Sequence, residues 1–248
     1  MKIFILICFL LIITVFFFSS CQPKYEEKDG KIYYKWIHGG NMTRESELIV
    51  NADAGTFVIL KESNLFCLAK DKNHVYKNAS VLKFADPKTF EQIKDYYWKD
   101  KSYVYVLGGT GDDNRLIEAD PKSFNWINDQ WSKDNENVFY GSNQVMNANA
   151  KSFVVIDEHW GKDDHFFYHE SFKIDSLDYN SAEIVSASYI KDKDNVFYEN
   201  KIVKDANPKT FVGGTYNSGY DDKYQFDFDK NKGPVTEEFK KTIDKQIK

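Results

Sequence analysis

The chain is poor in cysteine. Its 248 residues include three, Cys8, Cys21 and Cys67, too few for a disulfide-rich scaffold. Cys67 lies in the apolar run Leu65-Phe66-Cys67-Leu68, and a free thiol in such a setting is more often a small buried residue than a nucleophile. We therefore expect Cys67 to be buried and to take no part in catalysis.

Proline, glycine and net positive charge are also scarce. Five prolines and 13 glycines exclude collagen-like and low-complexity chains. The net charge of −5 argues against a general nucleic-acid binder, which needs a basic surface to neutralise phosphates.

The Gly-x-Ser-x-Gly and His-Glu-x-x-His motifs of hydrolases are absent. The sequence predicts no cofactor and no nucleic-acid partner. It leaves enzymatic activity open but favours a protein that is not an enzyme.

The first twenty residues differ from the rest. Lys2 is their only charge, and residues 3–18 are nearly all apolar. This run is shorter than the roughly 20 residues that cross a bilayer as a helix, and its layout is that of a secretory signal peptide over residues 1–20. Phe18-Ser19-Ser20-Cys21 resembles the bacterial lipobox, which implies cleavage before Cys21 and a lipid on that cysteine. Residues 21–27 then form the lipidated cysteine and a charged tether.

Most of the remaining chain is a tandem repeat. Lys-Asp pairs end at Asp71, Asp100, Asp134, Asp163 and Asp192, with spacings of 29, 34, 29 and 29 residues. The long interval is explained by a loop insertion at 108–114. Apolar-aromatic steps such as Val138-Phe139-Tyr140 follow each pair, and each unit includes a phrase such as Ala85-Asp86-Pro87-Lys88-Thr89-Phe90. A fixed period of this kind is typical of stacked repeat architectures.

The phrase Asp71-Lys72-Asn73-His74-Val75-Tyr76, followed by 85–90, resembles the DKNYY family of bacterial envelope proteins. Residues 134–140 and 192–198 repeat the same phrase. The resemblance covers roughly residues 60–215 and carries no catalytic or binding residues to this chain. The copy near 175–184 departs most from the pattern, so we expect an irregular loop there.

The pattern predicts an all-β fold. Each ~29-residue unit consists of short antiparallel strands or hairpins, because Val-Phe-Tyr steps suit a pleated surface and Asp-Pro-Lys suits a turn. We expect the repeat domain to span residues 28–233, as an open array or, alternatively, a small β-propeller, with the aromatic residues mainly in the core. Residues 234–248 are predicted to form an amphipathic capping helix, because Phe239, Ile243 and Ile247 recur every four residues.

Two groups of residues are candidates for metal binding. Three of the five histidines, His159, His165 and His169, lie near Asp163, Asp164 and Glu170. Imidazole with carboxylate is ordinary zinc chemistry, and His165 and His169 are the candidate ligands. Asp227, Asp229, Asn231 and Glu238 partly match a calcium loop, although Gly233 stands one position late for the required turn. In both cases the alternative interpretation is an ordinary polar turn, which the spacing favours, so the sequence assigns no metal site.

Three functions fit these observations. The first is a lipid-anchored protein of the bacterial cell envelope, attached to the membrane through Cys21, that binds an envelope protein or a glycan. The second is a hydrolase whose site lies at the irregular repeat near residues 175–183, where Asp175, Asp178 and Glu183 are the carboxylates. The third is a structural component of the envelope.

Overall fold

The computed structural model describes residues 22–38, 42–108, 114–215 and 217–247. The predicted signal peptide, Cys21 and most of the insertion at 108–114 lie outside these ranges. The described part contains seven antiparallel sheets and one α-helix. No described helix is long and apolar enough to span a bilayer. The chain divides into two compact units, residues 1–117 and 118–248.

The first unit contains three sheets. Sheet 1 consists of β1 (Lys24–Lys28), β2 (Lys31–Ile37) and β3 (Arg44–Leu48). Sheet 2 consists of β4 (Val58–Lys61), β5 (Leu68–Lys70), β6 (Val75–Lys77) and β7 (Ser80–Val81). Sheet 3 consists of β8 (Glu91–Lys94), β9 (Tyr97–Lys99), β10 (Val104–Val106) and β11 (Arg115–Leu116). A 3₁₀ turn at Ala54–Thr56 precedes β4.

The second unit contains four sheets and the helix. Sheet 4 consists of β12 (Asn125–Trp126), β13 (Trp131–Lys133), β14 (Val138–Tyr140) and β15 (Asn143–Gln144). Sheet 5 consists of β16 (Val154–Val155), β17 (Trp160–Lys162), β18 (Phe167–His169) and β19 (Phe172–Lys173). Sheet 6 consists of β20 (Glu183–Ile184), β21 (Tyr189–Lys191), β22 (Val196–Tyr198) and β23 (Lys201–Ile202). Sheet 7 consists of β24 (Val212–Gly213), β25 (Ser218–Tyr220), β26 (Tyr224–Asp227) and β27 (Lys230–Pro234), and helix α1 spans Glu237–Gln246.

Each sheet is an open meander in which consecutive strands pair in chain order. In sheets 4 and 6 the two central strands are buried, whereas the last strand is largely exposed. Alternate residues of the central strands point to opposite faces, so one sheet contributes to two cores. In sheet 6, Tyr189 and Val196 pack toward sheet 7, whereas Ile190 and Phe197 pack toward sheet 5. The all-β repeat and the aromatic core predicted from the sequence are therefore confirmed.

The predicted C-terminal helix is also confirmed. The Thr236 hydroxyl caps its start by accepting the N–H of Phe239 at 3.2 Å, and Glu237 and Glu238 lie in the first turn, where the helix dipole favours negative charge. Ile243 is buried and lies beside Gly214, which directly follows β24 of sheet 7. The helix thus covers part of the last sheet.

Two local predictions are wrong. Residues 24–27 are not a free tether, because they belong to β1 and Tyr25 is buried against sheet 2. The Tyr25 hydroxyl donates to the carbonyls of Cys67 and Asn78, at 3.1 and 2.9 Å. The copy near 175–184 is not an irregular loop either. It forms a 3₁₀ turn at Tyr179–Ser181 followed by β20, in the place that the other copies give to the same elements.

Candidate functional site

A buried aspartate closes the turn between the second and third strands of every four-stranded sheet. These residues are Asp71, Asp100, Asp134, Asp163, Asp192 and Asp221. The Asp163 carboxylate accepts the backbone N–H groups of His165 at 2.9 Å, Phe166 at 2.8 Å and Asn149 at 3.0 Å. It also accepts the Tyr168 hydroxyl at 2.8 Å. Burial alone would raise the pKa of Asp163, but these hydrogen bonds outweigh burial and lower it.

The phrase that precedes each sheet is tied to the same turn. Its Ser or Thr hydroxyl accepts the backbone N–H of the residue after the buried aspartate, as Thr89 does for Lys101 and Ser181 does for Lys193. Its Asp or Asn side chain pairs with that same residue. Three copies form Asp–Lys ion pairs, and two form Asn–Asp hydrogen bonds, in the pairs Asp53–Lys72, Asp86–Lys101, Asp178–Lys193, Asn149–Asp164 and Asn207–Asp222.

The repeated polar residues are therefore a structural framework. Their donors and acceptors are used within the copy, so the repeated motif itself does not present a reactive group. The copy at residues 175–183 follows the same rule, because the N–H of Asp178 donates to the Asp192 carboxylate at 2.9 Å. The hydrolase hypothesis placed its site at a break in the repeat, and the structure shows no break there.

A different cluster stands out at the open end of the β17–β18 hairpin in sheet 5. Antiparallel pairing sets Trp160 opposite His169, and the backbone N–H of Glu170 donates to the His159 carbonyl at 2.7 Å. This register brings the side chains of His159, His169 and Glu170 together. One potential ligand atom from each of the three lies within 4.8 Å of the other two.

The geometry of this cluster suits a divalent transition metal. His159 Nδ1 lies 3.4 Å from Glu170 Oε1, and the two imidazole rings are nearly parallel, with centroids 6.1 Å apart. His169 is buried, with its Nε2 3.0 Å from the Ala187 carbonyl. Because a carbonyl oxygen can only accept a hydrogen bond, Nε2 of His169 carries the proton. Nδ1 of the neutral ring therefore keeps its lone pair for a metal, in the arrangement that metal-ligating histidines use.

The surroundings keep this histidine neutral and hold the carboxylate in place. Burial lowers the pKa of His169, and this effect exceeds the opposite one of Glu170. The Tyr140 hydroxyl donates to Glu170 Oε1 at 3.3 Å, and the Trp160 ring packs edge-on against His169 with centroids 4.7 Å apart. Two imidazoles and one carboxylate are a common ligand set for Zn²⁺.

Of the three residues of this cluster, the sequence identifies one, His169, as a candidate ligand. His169 belongs to it, but His165 lies in the turn at the other end of the hairpin, where its side chain is 72% exposed and 3.1 Å from Asp164. His165 forms a second group with Asp163 and Asp164. The oxygens of Asp163 are already occupied by the turn, and Asp164 accepts from Ser152 and Asn149. The sequence groups His159 and Glu170 with His169 but does not identify them as ligands, because their proximity depends on strand register, which the hairpin pattern could have supplied.

The predicted calcium-loop residues do not come together as a loop. Asp227 and Asn231 lie on the paired strands β26 and β27, on either side of a tight turn. Lys232 lies 3.8 Å from Asp227, and Asn231 accepts the backbone N–H of Gly233 at 2.8 Å. Glu238 is in the first turn of α1. Neither group of metal-ligating residues found in the described chain includes any of Asp227, Asp229, Asn231 or Glu238, because the hairpin separates them.

Comparison with known proteins gives one positive result. The family model of the DKNYY family matches residues 25–171 and 159–245. No curated protein and no solved structure matches the chain. The two matched segments cover most of the chain and all seven sheets, and we conclude that the chain belongs to the DKNYY family.

Proposed function

We propose that the protein is a lipid-anchored component of the bacterial cell envelope and that it works by binding another envelope protein. Residues 1–20 serve as a secretory signal, and Cys21 carries the lipid, because this segment has the layout of a signal peptide followed by a lipobox-like cysteine. A lipid on Cys21 would hold the chain at the membrane surface without spanning it.

One observation supports binding over catalysis. The residues that repeat are buried or hydrogen-bonded within the copy, whereas the exposed last strands change sequence from copy to copy. In sheets 4 to 6 of the second unit these strands are Asn143–Gln144, Phe172–Lys173 and Lys201–Ile202. Phe172 and Ile202 are 54% and 51% exposed. Exposed apolar side chains on strand edges favour protein contacts.

Photo-cross-linking in cells tests this proposal. A photoreactive phenylalanine analogue replaces Phe172 or Ile202 in the full chain, and Ile247, which is 54% exposed just after helix α1, serves as the control position. We expect one envelope protein to be captured at the strand positions and not at Ile247. Equal capture at all three positions, or none, would contradict a specific protein partner. Co-sedimentation with cell-wall glycan would then identify a glycan ligand instead.

Lipidation has its own test. Mass spectrometry of the N-terminal peptide from the membrane fraction should find a diacylglyceryl group on Cys21. The variant Cys21→Ser should leave the membrane fraction. An unmodified Cys21, or a Cys21→Ser protein that stays bound as before, would contradict the anchor.

The His159 cluster supports a second function, the binding of a divalent transition metal such as Zn²⁺. Titration calorimetry with Zn²⁺ tests it on residues 21–248 carrying Cys21→Ser. This substitution removes the thiol of Cys21, which would compete for the metal. We expect His159→Gln and Glu170→Gln each to weaken Zn²⁺ binding by about tenfold or more. Even the loss of a group that only hydrogen-bonds to a metal ligand lowers metal affinity about 10–100-fold. The matched control His165→Gln should bind as the parent does. A loss as large in His165→Gln, or no binding by the parent, would refute the site.

A further inference from the structure

We propose that the outer face of sheet 1 is a docking surface for the headgroups of anionic phospholipids. We call this surface the basic face. It consists of Lys24, Glu26, Lys28, Lys31, Tyr33, Lys35, Ile37, Arg44, Ser46 and Leu48.

Strand alternation separates the two faces of sheet 1. The register pairs Lys24 with Lys35, Lys28 with Lys31, and Lys35 with Ser46, and directly opposite residues share a face. Tyr25 and Ile32 are buried toward sheet 2 on the opposite face. The basic face therefore points away from the core of the first unit.

The charge on this face is strongly biased. Five of its residues are cations and one, Glu26, is an anion, although the whole chain carries a net charge of −5. Glu26 lies 2.6 Å from Lys35 and 3.9 Å from Lys24. A single carboxylate leaves most of the positive charge uncompensated. The rest of this acidic protein would repel an anionic surface, so the bias also fixes the orientation of docking.

The basic face includes a shallow groove of about 320 Å³. Its charged lining consists of Lys24, Lys35 and Arg44 with the carboxylates Glu26 and Glu45, so cations remain in excess, and Trp36, Ile37 and Ser46 complete it. Lysine and arginine are the usual donors to phosphate oxygens, and Arg44 offers a fork that matches two of them. Nearby apolar side chains suit the boundary between headgroups and acyl chains, since Leu48 is 40% exposed and Met42 is 69% exposed.

The position of this groove matches the proposed anchor. Gln22, the residue after Cys21, is part of its lining, and β1 begins at Lys24. This step rests on the proposed lipidation of Cys21. A lipid on that residue would keep sheet 1 at the bilayer, where lipid and basic residues act as two membrane signals.

Vesicle sedimentation tests the basic face without the anchor. The mature chain, residues 21–248 with Cys21→Ser, is mixed with vesicles of phosphatidylcholine alone or of phosphatidylcholine with phosphatidylglycerol. We expect binding to the anionic vesicles only, and high salt should weaken it. Each basic residue near such a surface contributes about a fivefold gain. The triple variant Lys24→Gln/Lys35→Gln/Arg44→Gln should therefore bind on the order of 100-fold more weakly.

A matched control removes the same charge elsewhere. Lys201, Lys204 and Lys209 are exposed in the second unit, and their replacement by Gln should leave vesicle binding nearly unchanged. Equal loss in both triple variants, or equal binding to both kinds of vesicle, would overturn the basic face. If the parent chain bound inorganic phosphate but neither kind of vesicle, the groove would be a site for a free anion, and the proposed basic face would also be overturned. Because this chain carries no lipid, failure here is independent of the test of Cys21.

Discussion

The buried aspartate of each repeat shows why one residue type recurs at this place. Four donors converge on the Asp163 carboxylate, three backbone N–H groups and the Tyr168 hydroxyl. Only an ionised carboxylate offers acceptors alone, because an asparagine would direct an NH₂ group at some of these donors. The tyrosine is less strictly required, since the equivalent residue in other copies is Phe139, Phe197 or Phe226.

This difference leads to a prediction about two neighbouring residues. Asp163→Asn should lower the free energy of unfolding by about 3 kcal/mol, because it leaves buried donors without an acceptor. Tyr168→Phe should lower it by about 1 kcal/mol or less, since it removes one donor and keeps the packing. Urea denaturation of both variants measures the contrast. Equal losses in the two variants would contradict the role given to the carboxylate.

The lowered pKa of Asp163 gives a prediction for pH. Its folded pKa lies below the unfolded value, so its contribution to stability is complete above the unfolded pKa. That contribution is lost as the pH falls through the folded pKa, in a window that opens below about pH 5. Asp71 has a lowered pKa as well and adds to the same window. Denaturation curves from pH 7 to 3 should show a smaller decline for Asp163→Asn than for the parent, and an equal decline would refute the assignment.

At the scale of single elements, two copies pair the phenylalanine of the phrase with a glycine in the second strand of the sheet that follows it. A Cβ added to Gly161 would lie 2.3 Å from Phe153, and one added to Gly219 would lie 2.5 Å from Phe211. In the copy that diverges in sequence, Ala182 replaces the phenylalanine and packs in the cluster of the larger Ile190. The divergent copy therefore keeps its fold by exchanging a large–small pair for a small–large one.

Substitutions in sheet 5 can test whether the large–small pair Phe153 and Gly161 can be replaced by a small–large one. Gly161→Ala alone should destabilise the protein by about 1–3 kcal/mol, because the phenylalanine ring has to move. The double variant Phe153→Ala/Gly161→Ile reproduces the pair at 182 and 190, and it should recover part of the stability lost in Gly161→Ile. Thermal melts of the two single variants and the double variant form a cycle. Additive effects would show that the two positions are not coupled.

The exposed pair in each turn permits a similar exchange of charge. Lys193→Asp should lower the melting temperature, because it sets two carboxylates side by side at Asp178. Adding Asp178→Asn recreates the pair seen at Asn149 and Asp164, and it should restore the melting temperature. Melting at low and high salt checks the electrostatic origin, since salt weakens repulsion between exposed charges. A double variant as unstable as Lys193→Asp would contradict the pairing rule.

For the whole molecule, the sequence predicts the architecture better than the site. The 29-residue period, the Val-Phe-Tyr steps and the helix at Thr236 are local signals, and the fold follows from them. The metal cluster depends on His159 meeting Glu170 across a hairpin, and the place of residues 24–27 depends on burial of Tyr25 against a distant sheet. The first feature depends on the register of a hairpin, which the strand pattern could have supplied, whereas the second depends on a distant partner that neighbours in sequence do not reveal.

Stacked repeats also predict how a local defect spreads. Within each unit a sheet packs mainly on its neighbours, so stability is expected to behave as a sum of nearest-neighbour terms. Ile243→Ala removes a buried side chain that packs beside Gly214, and such truncations cost about 2–5 kcal/mol. Ile247→Ala, at the C-terminal end of this helix, removes a side chain that is 54% exposed and should have little effect.

Hydrogen exchange followed by mass spectrometry can locate this effect. In Ile243→Ala, amides of sheet 7 should exchange faster, because the helix that covers this sheet is loosened, while amides of sheets 2 and 3 should keep the rates of the parent. Ile247→Ala should match the parent throughout. Faster exchange in every sheet would mean that the chain unfolds as one cooperative unit, and it would contradict nearest-neighbour behaviour.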